Sequence, residues 1–197
     1  IAYPSAMSTP PVMLDGSPLT IAQVAAVARD AAPVEISPAA LESMQASASI
    51  VEGVAAGNEA VYGINTGFGS LSKERIDPES NRSLQLNLVR SHAAGVGDPL
   101  PQDVTRAMQC ILAASLARGH SGVRPELASQ VVALLNKGVV PHVPSRGSVG
   151  ASGDLAPLAH MSLPVIGLGK VHYKGEELDS KTAFEAADID SIICAPK

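Results

Sequence analysis

A chain of 197 residues, 46% of them apolar and 17% charged, can bury a sizeable core and holds one domain or one and a half. Its net charge of −5 and its few rings, three Tyr and two Phe with no Trp, exclude a nucleic-acid surface, which needs basic stripes and stacking platforms. The longest run without Asp, Glu, Lys or Arg, residues 155–169, is too short for a bilayer span and is broken by Pro157, Pro164 and Gly167, so no membrane partner is expected.

Residues 1–6 precede a natural-looking start at Met7, lack the pattern of a signal peptide and are expected to be a cloning remnant. Residues 12–15, followed by Gly16, predict a short strand and turn; Thr20 then caps a predicted helix over 21–30 that Pro33 ends. Ser37, with Pro38 at the first position, caps a second helix. Its apolar residues Leu41, Met44, Ala48, Val51, Val54 and Ala55 recur at helical steps until Gly57 and Asn58. Residues 61–68 are short, Gly-punctuated and non-periodic, and read as a strand running into a shaped loop.

Helical patterns resume over 77–94 and 103–117, the latter with Val104, Met108, Ile111, Leu112 and Leu116 on one face and Cys110 as a small buried hydrophobe. A helix over 125–136 is closed by Gly138. The next segment, PHVPSRGSVGASGD at 141–154, reads as a long Gly-, Ser- and Pro-rich loop of the kind that is usually functional. Helical residues return at Leu155, and 171–178 predicts a hairpin turning at Lys174 and Gly175. The fold class is mainly α with a few short strands. Cys110 and Cys194 lie far apart without metal-ligand spacing, so no disulfide framework and no structural zinc are expected, and a reducing cytoplasm fits. His120, His142, His160 and His172 are scattered in sequence and read as structural or surface residues.

The chemistry concentrates at Gly150, Ala151, Ser152, Gly153 and Asp154. The glycines at 147, 150 and 153 do not match GxGxxG, no Lys-Ser/Thr follows as in a P-loop, and the string is one residue short of a GxSxG nucleophile elbow. One reading is a flexible loop ending in a helix capped by Asp154, with Pro157 in the first turn. The other is self-modification. Closure of the Gly153 nitrogen on the Ala151 carbonyl, then loss of water from Ser152, would give a five-membered ring bearing a methylidene group. Glycine at 153 removes the side chain that would obstruct closure, and a helix N-terminus at 154–155 would favour negative charge developing there.

Three strings, YGINTGFG at 62–69, SHAAG at 91–95 and GSVGASGDLAPLAH at 147–160, together resemble the aromatic amino acid ammonia-lyases, with the histidine-selective members as the nearest pattern. The resemblance implies the amino-terminal part of the aspartase/fumarase-like ammonia-lyase fold, with residues 7–197 as the portion bearing 4-methylideneimidazole-5-one (MIO) and with the central helical bundle and carboxyl-terminal part missing. It implies that Ala151, Ser152 and Gly153 form MIO autocatalytically, with no metal or external cofactor, and that Tyr62 is the base that removes a β-proton from the bound amino acid. His92 falls where histidine-selective members carry histidine, which implies substrate recognition; some tyrosine-selective members carry it too. Asn65, Gly67 and Gly69 would shape the loop holding Tyr62, because Asn and Gly tolerate left-handed backbone. Arg146 and Asp154 flank the ring-forming segment and are candidates for fixing its ends.

The implied reaction is deamination of L-histidine to trans-urocanate and ammonia, the first step of histidine degradation, in a cytoplasmic homotetramer. Two alternatives stand beside it: a tyrosine-type MIO lyase, and an inactive fragment that needs the missing carboxyl-terminal part.

Overall fold

The computed structural model describes residues 10–69, 72–150 and 153–194. The expected cloning remnant at 1–6 and two of the ring-forming residues, Ala151 and Ser152, lie outside the described residues.

The chain opens with β1 (Val12–Leu14), α1 (Ile21–Arg29) and β2 (Val34–Ile36), the two strands pairing in parallel with Val12 opposite Val34. Thr20 starts α1 through a reciprocal box: its Oγ1 accepts the Gln23 N–H at 3.2 Å, and its own N–H donates to Gln23 Oε1 at 2.8 Å. Ser37 Oγ accepts the Ala40 N–H at 3.1 Å and starts α2 (Pro38–Ala56), which ends at Gly57. Then follow α3 (Pro78–His92), β3 (Val96–Pro99), α4 (Gln102–Leu116) and α5 (Pro125–Asn136). After β4 (Val140–Pro141) and β5 (Pro144–Arg146) come α6 (Leu155–Ser162), β6 (Lys170–Tyr173), β7 (Glu176–Asp179) and α7 (Ser180–Ala187). β3 pairs antiparallel with β5, and β4, β6 and β7 form an antiparallel sheet in that order. Mainly helical with a few short strands, this is the predicted class.

One core gathers these pieces. Leu14, Val27 and Val34 meet Cys110 and Ala113 of α4, Leu134 and Leu135 of α5, Val171 of β6 and Phe184 of α7. Arg106 is buried with them, donating from Nε and Nη2 to the Val27 carbonyl at 3.2 and 2.8 Å and from Nη1 to the Leu135 carbonyl at 3.1 Å. It thereby satisfies carbonyls at the carboxyl-terminal ends of two helices.

Four expectations change. In α4 the buried face is Thr105, Arg106, Gln109, Cys110, Ala113 and Leu116, whereas Val104 and Ile111 are 41% and 55% exposed. Because α1, α5 and β4 all pack on α4, its inward face includes polar side chains, of which Arg106 finds carbonyls; of the predicted stripe, Leu116 stays buried while Val104 and Ile111 border an open groove of about 650 Å³ shared with Ile21 and Val24 of α1. Residues 61–68 form turns with an isolated bridge from Thr66 to Arg75, not a strand. The supposed loop at 141–154 contains β5, held by β3. Finally, α7 follows the hairpin, and its signal was the helical spacing of Ala183, Phe184 and Ala187.

Candidate active site

The loop carrying Tyr62 is organised by one buried side chain. Asn65 is 2% exposed; its Oδ1 accepts the Val61 N–H at 2.8 Å and its Nδ2 donates to the Glu59 carbonyl at 2.9 Å. Those bonds do for this segment what a partner strand would otherwise do, so the chain turns instead of extending. Asn65 makes these bonds through its side chain and does not adopt left-handed backbone. Gly69 does adopt that conformation at φ 60°, Gly67 does not, and Gly63, which the motif reading passed over, does at φ 78°. Tyr62 stands 62% exposed with its ring edge-on to Phe68, centroids 5.8 Å apart.

α3 links this loop to the second motif. Near its start, buried Asn81 donates from Nδ2 to the Ile64 carbonyl at 2.8 Å. Its last residue is His92, whose Nδ1 lies 2.8 Å from the Leu88 carbonyl. A carbonyl only accepts, so Nδ1 is the donor here, and in the neutral ring Nε2 is then the acceptor.

The second and third motifs meet directly. Gly95 N–H donates to His160 Nε2 at 2.9 Å, and Val96 pairs with Arg146 at the start of the β3–β5 ladder. There is no room for a side chain at this crossing: a Cβ on Gly147 would lie 2.9 Å from Gly95 Cα, and one on Gly95 would lie 3.1 Å from both the Arg146 carbonyl oxygen and His160 Nε2. Burial pushes the His160 imidazole below its usual pKa, with nearby His142 acting in the same direction. Arg146 therefore holds one end of the segment through its backbone.

Asp154 holds the other end, by a route the cap reading did not foresee. It precedes α6 at the N-cap position with left-handed backbone, φ 56°, and its side chain makes no bond to the helix's first turn. Instead Oδ1 accepts a hydrogen bond from Ser148 Oγ, which in turn accepts the Gly150 N–H at 3.1 Å. The segment is thus closed on itself from 148 to 154, with left-handed turns at Gly150, φ 65°, and Gly153, φ 82°.

The histidines are less scattered than their sequence positions imply. His120 is exposed, and His142 and His172 stack on one another beside Glu177.

Residues 19–197 match the family model for aromatic amino acid lyases, and the chain belongs to that family. A histidine ammonia-lyase of Streptococcus pyogenes serotype M3 is 50% identical over 186 residues, covering 94% of this chain and 36% of that relative. Among solved structures, a tyrosine aminomutase from Streptomyces globisporus superposes with a TM-score of 0.89 at 36% identity, covering 95% of this chain and 35% of that one. A histidine ammonia-lyase from Trypanosoma cruzi gives 0.85 at 34% identity, covering 93% and 35%. The chain therefore spans about a third of the length of the relatives it matches, and its fold is the amino-terminal part of theirs.

Members of the family depend in general on MIO. The described residues on either side of 151 and 152 are compatible with that group: Ser148 is tied to Asp154, and Gly150 and Gly153 adopt left-handed backbone.

Proposed function

We propose that this chain is the MIO-bearing amino-terminal portion of a histidine ammonia-lyase, which converts L-histidine to trans-urocanate and ammonia in the cytoplasm as a homotetramer. The observation that carries the reading is the closed segment from Ser148 to Asp154, seated on Gly95 by Gly147 and His160, in a chain half identical to a histidine ammonia-lyase.

MIO, formed from Ala151, Ser152 and Gly153, supplies an electrophile for the substrate's amino group. The amino-terminal end of α6 directs its partial positive charge toward the segment just before it, which favours anionic character there. Tyr62 takes the proton from the substrate's β-carbon. His92 reads the imidazole: with Nδ1–H held by the Leu88 carbonyl, Nε2 is an acceptor complementary to a ring N–H, and a substrate without that donor leaves it unpaired. Asn65, Gly67 and Gly69 hold the loop of Tyr62.

The test uses the full-length parent. Added histidine should give the ultraviolet absorbance of urocanate, and Ser152→Ala should abolish it; undiminished deamination by that variant sinks the reading. Tyrosine-directed deamination, the reading favoured by the likeness to a tyrosine aminomutase, would show instead as coumarate formed from tyrosine. An inactive fragment would show as a 197-residue chain that gains turnover only when the carboxyl-terminal part is supplied.

A further inference from the structure

The outer face of the β4–β6–β7 sheet carries side chains that this reaction does not use. Along β6, Val171 and Tyr173 turn into the core, so Lys170 and His172 turn out. Across the ladder, Glu177 stands opposite His172 and Asp179 opposite Lys170. His142 continues β4 by donating its N–H to the Lys170 carbonyl at 2.9 Å, and its ring lies nearly parallel to that of His172, centroids 5.8 Å apart and planes 15° apart. One ligand atom from each of His142, His172 and Glu177 lies within 4.8 Å of the other two.

Glu177 is ready to act as an anionic ligand. Its Oε1 accepts from Lys170 Nζ at 2.8 Å and its Oε2 from His142 Nδ1 at 2.7 Å. His142 and His172 are only partly buried and Glu177 is exposed, which leaves an ion a path in. Two imidazoles and one carboxylate suit zinc-like ions, which accept three protein ligands and a water; calcium and magnesium call for oxygen donors.

We propose that His142, His172 and Glu177 form a binding site for a divalent transition-metal ion of the zinc type. Lys170 is its built-in competitor, because its ammonium occupies one carboxylate oxygen that the ion would draw on. The site is independent of the deamination reading: it needs only the sheet register, which brings residues far apart in sequence onto one face.

The experiment is calorimetric titration of the 197-residue chain, prepared without a polyhistidine tag, with Zn²⁺. One ion should bind per chain. His172→Ala and Glu177→Gln should each weaken binding about tenfold or more, Lys170→Gln should tighten it, and His120→Ala should leave it unchanged. Should a sheet variant fail to fold, the unaltered chain still decides: Co²⁺ should broaden the ring-proton resonances of His142 and His172 and spare those of His120. No saturable Zn²⁺ binding up to millimolar concentration, binding indifferent to His172 and Glu177, or equal broadening at His120 would overturn the site.

Discussion

Gly95 donates its backbone N–H to Nε2 of His160 at 2.9 Å, across 65 residues of sequence. This bond joins the end of α3 to α6 and seats the start of the ring-forming segment between them. An imidazole in this position has to keep its Nε2 lone pair, so the junction depends on His160 staying uncharged at that nitrogen.

Removing the acceptor should therefore cost stability. His160→Leu strands a half-buried N–H and is expected to destabilise the fold by about 1–2 kcal/mol, while His160→Gln, which offers an acceptor oxygen, loses less. Urea midpoints of the two variants would be compared; identical midpoints for Leu and wild type would contradict the role.

Acidification should strain the same junction. Burial lowers the folded pKa of His160 below its ordinary 6.5, so below that pH the unfolded chain binds more protons than the folded one. The stabilising contribution is complete above pH 6.5 and is lost as pH falls toward the lowered folded value. Urea midpoints measured across this window should decline, and His160→Gln should flatten the decline.

Arg106 bridges the Val27 and Leu135 carbonyls with a planar fork that lysine does not reproduce. Arg106→Lys is expected to cost about 2 kcal/mol, because one ammonium does not reach both carbonyls in the fork's geometry, and Arg106→Met about 3 kcal/mol, because it leaves both without a donor. Chemical denaturation would show it, and a Lys variant as stable as wild type would remove the geometric explanation.

Asn65→Ala should loosen the Tyr62 loop by about 2 kcal/mol, because two backbone groups lose the amide that satisfies them. Hydrogen exchange reads this locally: the Ile76 amide, bonded to the Asn65 carbonyl at 2.8 Å, should exchange faster in the variant than in wild type, with α5 amides unchanged.

The two thiols should label in sequence. Burial raises the pKa of both, but Cys110 is wholly enclosed whereas Cys194 is partly exposed. A disulfide reagent near neutral pH is expected to modify Cys194 alone in the folded chain and both after denaturation. Two rapid modifications in the native state would mean that the core around Cys110 opens.

Much of this was legible in the residues. Caps at Thr20 and Ser37, the glycine stops at 57 and 138, the hairpin at Lys174-Gly175 and the helical class all follow from local chemistry that needs no partner. The three motif strings likewise pointed to the family on their own. Tertiary structure decided what depended on distant groups. Arg106 faces inward because carbonyls of α1 and α5 wait for it, residues 144–146 are a strand because β3 runs beside them, and Asp154 serves Ser148 because the segment folds back. His142, His172 and Glu177 share one face only once β4, β6 and β7 are in register, and side-chain periodicity carries no information about which strands will become neighbours.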